Sequence, residues 1–444
     1  MVPRRLAAAL GATALLVLAL SSAAQAETPV LAPAAPEAEG FSSAKIAALN
    51  EAMHRAVDQG EVAGISTMLA RHGKVVNFDA YGKQSIATGA PMTRDTIFRM
   101  YSQTKPLTAA AMMVLFEQGK WKLDEPVTDF IPEFAKLKVM TGLDGNGQPI
   151  LEDPKHPPTM RELMTHSAGF GYGLRSDDYV DKQFQTQGVL RSNGLQAMVD
   201  KIATIPLLYQ PGTKWSYSAA VDIQGYVVEK LSGQTFGEFL QTHLFRPLGM
   251  NDTGFVVPMD KAPRLAGVYV KNEQTGNKLF EITPQLSPMV QDFTKPPLLE
   301  SGGGGSVSTI DDYARFCQMI LNHGELDGVR VLSPASVAQI ETNALEPTAM
   351  SDPAPDGRPA IGSDALGFGM NVMVFKDPAK IGSPVGAGTI TWGGAAGTWF
   401  WIDPKNDLFF LGMIQRFSGG NAGMEALILP SQKLVYSALD DPAK

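Results

Sequence analysis

Apolar positions change rhythm twice along this chain, and the changes divide it. Ile46, Leu49, Met53 and Val57 recur at spacings of three and four, the stripe of an amphipathic helix over about Ser42 to Gln59. Ser42 or Ser43 stands where its N-cap belongs. Val62 to Arg71 and Lys74 to Ala80 read as two strands around the turn His72-Gly73. From about 101 to 290 the pattern is mostly helical. It predicts helices over Ser102–Gln118, Met160–Thr165, Gly194–Ala203, Ala219–Leu231 and Phe236–Phe245, joined by Pro/Gly-rich loops such as Asp144 to Pro158. Strands return at Phe368–Phe375, Gly388–Trp392, Thr398–Ile402 and Leu408–Gln415, with turns at Gly393-Gly394 and Pro404 to Asp407. A last helix covers Leu427 to Leu439, with Pro430 contesting its start. Strands at both ends with helices between them predict an α/β (α+β) protein. One antiparallel sheet flanked by helices would come from about 41–100 and 295–440, with an inserted all-helical subdomain over about 101–294. No internal repeat interrupts this plan.

The ends change the picture. Arg4 and Arg5, the apolar stretch Leu6 to Leu20 and the small residues Ala24-Gln25-Ala26 read as a signal peptide over 1–26, cleaved after Ala26. The stretch is short for a membrane span, and no later segment reaches about 18 apolar residues, so no stable membrane insertion is expected after cleavage. Residues 27–40, rich in Ala, Pro and Glu, read as a flexible leader. The 444 residues are 44% hydrophobic and 18% charged, enough for a large core. Losing Arg4 and Arg5 but no acid would move the net charge from −8 to −10. That argues against nucleic acid or an anionic membrane surface as partner. The single cysteine, Cys317, permits no intrachain disulfide. A bacterial periplasmic or secreted protein is the expectation.

Chemistry enters at Tyr101-Ser102-Gln103-Thr104-Lys105. A serine and a lysine three residues apart on a helix lie on one side, with Cβ atoms roughly 5–6 Å apart. The apolar run behind them reads as a buried helix closed by Gly119, so Ser102 also sits at the positive end of a helix dipole. Ser42-Ser43-Ala44-Lys45 repeats the spacing but opens an ordinary amphipathic helix, where a capping role suffices. Gly-x-Ser-x-Gly and His-Glu-x-x-His are both absent, and the six histidines show no zinc spacing; no metal and no cofactor are expected. Only His166, in Leu163 to Gly169, draws notice, and such a residue more often bonds a helix end than performs chemistry. Gly302 to Gly305 lacks the ending of a phosphate loop and reads as a tight backbone crossing beside a cavity. Lys214 to Ala219 and Thr391 to Ala395, taken alone, read as a capping segment and a β-turn.

Taken in order and separation, Tyr101–Lys105, Tyr217-Ser218-Ala219 and Trp392-Gly393-Gly394 resemble the three motifs of class C β-lactamase-like serine hydrolases, most closely family VIII carboxylesterases. Leu163–Gly169, Phe245–Gly249 and Gly302–Asp312 resemble that family's framework, and the likeness spans roughly 40 to 440. It implies a β-lactamase-like fold and an acyl-enzyme on Ser102, with Lys105 and Tyr217 sharing the role of base. It places Trp392, Gly393, Gly394 and Ala395 at the oxyanion and substrate side, where the N–H groups of Ser102 and Ala395 would hold the oxyanion. The chemistry is coherent on its own. A serine hydroxyl needs a neighbouring base, and two preorganised N–H donors are worth a few kcal/mol in the transition state.

Two departures from the β-lactamase pattern bear on substrate. That pattern starts its third motif with lysine, a cationic anchor, where this chain has Trp392. It carries an asparagine two residues after the motif tyrosine, where this chain has Ala219. Both changes favour neutral, apolar esters over anionic amides, while Arg416 offers one charge that would restore the balance; that the acyl chains are short is implied only by the family resemblance. A β-lactamase, a D-amino-acid peptidase or penicillin-binding protein, and an acyltransferase are the competing readings on the same scaffold. A small-molecule ester is the expected partner.

Overall fold

The structure is a computed structural model that describes residues 30–271, 273–287, 289–353, 359–418 and 425–441. The segment read as a signal peptide lies outside the described residues. The central sheet has seven strands: β1 Gly64–Arg71, β2 Lys74–Gly82, β3 Leu366–Phe368, β4 Met373–Phe375, β5 Ile390–Gly393, β6 Thr398–Asp403 and β7 Leu408–Met413. They lie in the order β3-β4-β5-β6-β7-β1-β2, all antiparallel. The two ends of the chain therefore meet at β1 and β7, where Met68 stands opposite Leu411.

Every residue of β1, β6 and β7 is buried, because both sheet faces are covered. Trp399, Trp401 and Phe410 meet Leu49, Met53 and Val435 of the helices Ser43–Asp58 and Glu425–Ala438 on one face. Phe400, Ile402 and Leu411 point the other way, toward a core shared with the helices Ile310–Leu321 and Lys105–Glu117. Sequence reading places these elements within a few residues. Ser42 caps its helix as expected, accepting a hydrogen bond from Lys45 N–H, and the Lys45 ammonium pairs with Asp440.

Four expectations need correction. The leader is not free from Leu31 onward. Ala34 N–H donates to Val75 O at 2.9 Å and Val75 N–H to Ala32 O at 2.8 Å, while the buried Glu39 holds Lys74 and His72. It supplies hydrogen bonds that the sheet edge at β2 would otherwise lack. The single strand predicted over Phe368–Phe375 is instead the hairpin β3–β4, turned at Asn371, whose φ of 61° asparagine tolerates better than most residues. The inserted region is not wholly helical, for it carries the paired strands Val139–Leu143 and Pro149–Glu152, and Val268–Lys271 with Phe280–Ile282. Finally, the helix predicted from Ser102 begins as a 3-10 turn, Tyr101–Thr104, and becomes α-helical at Lys105–Glu117, with Pro106 in the first turn where its missing N–H costs nothing.

Candidate active site

The 3-10 turn decides the geometry of the serine and the lysine. Three residues per turn eclipse positions i and i+3, so Ser102 and Lys105 stack along one edge of the turn. Tyr101, just before them, is held at φ 45°, and its hydroxyl donates to Met289 O at 3.2 Å. The Lys105 ammonium donates to Ser102 Oγ at 3.4 Å, to Tyr172 Oη at 3.1 Å and to Gly303 O at 2.6 Å. Three acceptors match the three N–H bonds of an ammonium group. The Tyr217 hydroxyl donates to Ser102 Oγ at 2.6 Å, and Lys105 Nζ lies 4.5 Å from the centre of the Tyr217 ring. The structure thus gathers Ser102, Lys105 and Tyr217 within hydrogen-bonding reach.

Behind Lys105 stands Asp222, fully buried at the start of the helix Ala220–Ser232. One carboxylate oxygen accepts from the Ser301 hydroxyl and, at 3.1 Å, from Gly303 N–H; the other has no hydrogen-bond partner among the described residues. Burial raises its pKa above the ordinary range, opposed by the Lys105 charge and then by the Ser301 bond. Burial likewise pushes the Tyr172 phenol well above its usual value, with Asp222 and Tyr217 adding to the effect.

Trp392 packs against the tyrosine of the site. Its ring lies 5.6 Å from that of Tyr217 and 5.4 Å, edge-on, from that of Phe368, whereas its Nε1 is buried and has no partner among the described residues. The indole N–H is therefore enclosed by protein and offers no accessible donor. Beyond it the backbone turns at Gly393-Gly394. A Cβ on Gly394 would stand 2.2 Å from Met100 O, so only glycine lets this turn close against the segment that leads to Ser102. Ala395 follows, exposed, and neither its N–H nor that of Ser102 makes a hydrogen bond among the described residues. Ala219 is buried and its N–H is spent on Gly171 O, so no side-chain amide reaches the site from that position.

Arg416 does not restore a charge to the cleft. Its guanidinium is buried and taken up by Glu61, at 3.0 Å to the backbone carbonyl and 3.2 Å to the carboxylate. Sequence reading missed Tyr172, Asp222 and Ser301. The available signal was the glycine run, since a Cβ on Gly303 would lie 2.5 Å from Asp222 Oδ2 and 2.7 Å from Tyr172 Oη. Among the described residues no cluster of histidine, cysteine and carboxylates is arranged to hold a metal ion, and no helix is long and apolar enough to cross a membrane.

Comparison with known proteins bears on the family and the fold. A sequence model of the family described as beta-lactamase matches residues 49–430. Protein Rv1367c of Mycobacterium tuberculosis is 36% identical over 379 residues, 82% of this chain and 89% of that protein. Esterase EstB of Burkholderia gladioli is 31% identical over 385 residues, again 82% and 89% of the two chains. Among solved structures, EstCE1, described as a hydrolase with promiscuous acyltransferase activity, superposes with a TM-score of 0.72. It is 25% identical and covers 90% of this chain and all of its own.

Proposed function

This chain belongs to the β-lactamase family of serine hydrolases, and from that premise we propose that it cleaves carboxylic esters with short, apolar acyl groups through an acyl-enzyme on Ser102. The observation that carries the reading is the 2.6 Å contact between Ser102 Oγ and the Tyr217 hydroxyl, beside the buried Lys105. Ser102 Oγ bonds to the ester carbonyl carbon and gives its proton to the Lys105/Tyr217 pair, which takes it once the pair has released one proton, as lysine amine with tyrosine phenol or as ammonium with phenolate. The carbonyl oxygen becomes an oxyanion facing the N–H groups of Ser102 and Ala395. As the tetrahedral species collapses, the C–O bond breaks and the alcohol leaves with the pair's proton. Water then repeats the sequence and frees the acid.

The esterase name of EstB supports the substrate class, and the apolar Trp392 wall supports the neutral character of the ester. A second reading has its own support in EstCE1: an alcohol taking the place of water would make the same acyl-enzyme a transferase. Export to the periplasm or beyond completes the proposal. A fluorophosphonate probe followed by peptide mass spectrometry should place the adduct on Ser102 and lose it in Ser102→Ala, with Glu27 as the first residue of the exported chain. An adduct on Ser42, or on any other serine, refutes the choice of nucleophile.

A further inference from the structure

His166 is the one histidine that the sequence singles out and that the chemistry above leaves unused. It is buried, sits at φ 59°, and packs beneath the site. Its ring centre lies 5.0 Å from that of Tyr217, with Trp215 and Phe368 edge-on at 5.9 and 5.6 Å. Its hydrogen bonds are more specific than its packing. The His166 carbonyl accepts from Ser216 N–H at 2.9 Å. Its ring Nδ1 accepts from Ser218 N–H at 3.2 Å and lies 2.9 Å from the Ser218 hydroxyl. Both residues that flank Tyr217 are therefore tied to one residue across the chain.

We propose that His166 is a positioning residue for Tyr217: its backbone carbonyl holds Ser216 and its neutral imidazole holds Ser218, so that the residues on either side of that tyrosine fix its hydroxyl on Ser102. The tautomer follows from the donors. A backbone N–H can only donate, so Nδ1 carries the lone pair and the ring proton sits on Nε2. Burial, reinforced by the Lys105 charge, pushes the imidazole well below its usual 6.5, which keeps it neutral beside that cation. A protonated ring would lose the acceptor and release Ser218. The left-handed backbone serves the same end, because the carbonyl and the ring of one residue must face two N–H groups two positions apart.

The inference rests on the role given to Tyr217 and is tested together with it. Asparagine and glycine both tolerate the left-handed backbone, but only asparagine keeps an acceptor near the Nδ1 position. With p-nitrophenyl butyrate, His166→Gly should lose about 10²-fold in kcat, the scale set by a misplacement of about 1 Å, with KM nearly unchanged. His166→Asn should recover most of that loss. In a Tyr217→Phe background, His166→Gly should cost little further, because the two act as one unit. If His166→Gly does not fold, His166→Ala takes its place in the cycle. Multiplicative losses, a change in KM alone, or an asparagine variant as poor as the glycine one would overturn the proposal. A fully active Tyr217→Phe would instead overturn the role of the tyrosine, and the two failures are distinct.

Discussion

At the scale of single residues, the site turns on how a lysine can be wholly buried. Lys105 has no solvent contact, and its ammonium is matched by Ser102, Tyr172 and Gly303, with the Asp222 carboxyl enclosed behind it. Removing the amine takes away the base partner proposed for Ser102. It also leaves Tyr172 and the Gly303 carbonyl without their donor and Asp222 without a counter-charge. Lys105→Ala should therefore cost about as much kcat/KM on p-nitrophenyl butyrate as Ser102→Ala, to within about tenfold, because groups acting as a unit do not add. A variant that keeps more than about a tenth of wild-type activity would show that Tyr217 suffices alone. Ser102 and Lys105 were legible in the sequence because their spacing is local. Tyr217 needed a second motif 115 residues away, and the family resemblance to join the two. Tyr172 and Asp222 were not legible, since each is an ordinary residue in its own segment and gains a role only by meeting Lys105 or Gly303 across the fold.

At the scale of elements, periodicity located most helices and strands, and it failed where tertiary bonds overrule it. Phe368–Phe375 is apolar enough for one strand, yet Asn371 breaks it. Its side-chain amide reaches Gln224 at 2.6 Å and Lys105 O at 3.3 Å, which pins the hairpin to the segment bearing the lysine. The helix Pro334–Glu341 shows a different conflict. Its N-terminal side is anchored by Ser333 N–H donating to Glu117 Oε1 at 2.6 Å, on the helix that begins at Lys105. Its last residue is an acid, placed at the negative end of the helix dipole. Burial raises the Glu341 pKa from 4.5 to about 7. An acid raised in the folded state binds its proton more tightly there than in the unfolded chain. No cost arises below pH 4.5; stability falls as pH rises from 4.5 through 7, and the loss is constant above that. The full difference is on the order of 3 kcal/mol. Glu341→Gln should therefore match the wild-type melting temperature near pH 4.5 and exceed it by a few degrees at pH 8. Parallel melting curves across that range would show that Glu341 ionises freely in the folded protein.

At the scale of the whole molecule, the sequence was legible where strands are apolar and continuous, so a sheet made from both ends could be read. Its strand order could not, because the partners of β1 and β7 are about 340 residues apart and hydrophobic pattern carries no pairing information. What the assembled molecule adds is a ledger of charge around the cleft. The third-motif position is Trp392 and not a lysine, Ala219 brings no amide, and Arg416, the cation that the sequence offered in its place, is taken up by Glu61. The chain as a whole carries a net charge of −8, which repels an anionic substrate before it arrives. A β-lactam needs its carboxylate recognised, whereas a simple ester needs only the nucleophile, the oxyanion donors and a place for an apolar acyl group beside the indole. Each missing hydrogen bond to a charged or buried polar partner is worth roughly 1.5–3 kcal/mol, so two lower kcat/KM by on the order of 10²–10⁴. In a panel of p-nitrophenyl esters with about two to twelve acyl carbons and a chromogenic cephalosporin, the esters of about two to six carbons should be hydrolysed faster than the cephalosporin by that factor. A cephalosporin equal to the best ester would reject the substrate assignment and leave the Ser102–Lys105–Tyr217 chemistry standing. Cleavage of D-amino-acid peptides with no ester turnover would transfer the site to a peptidase.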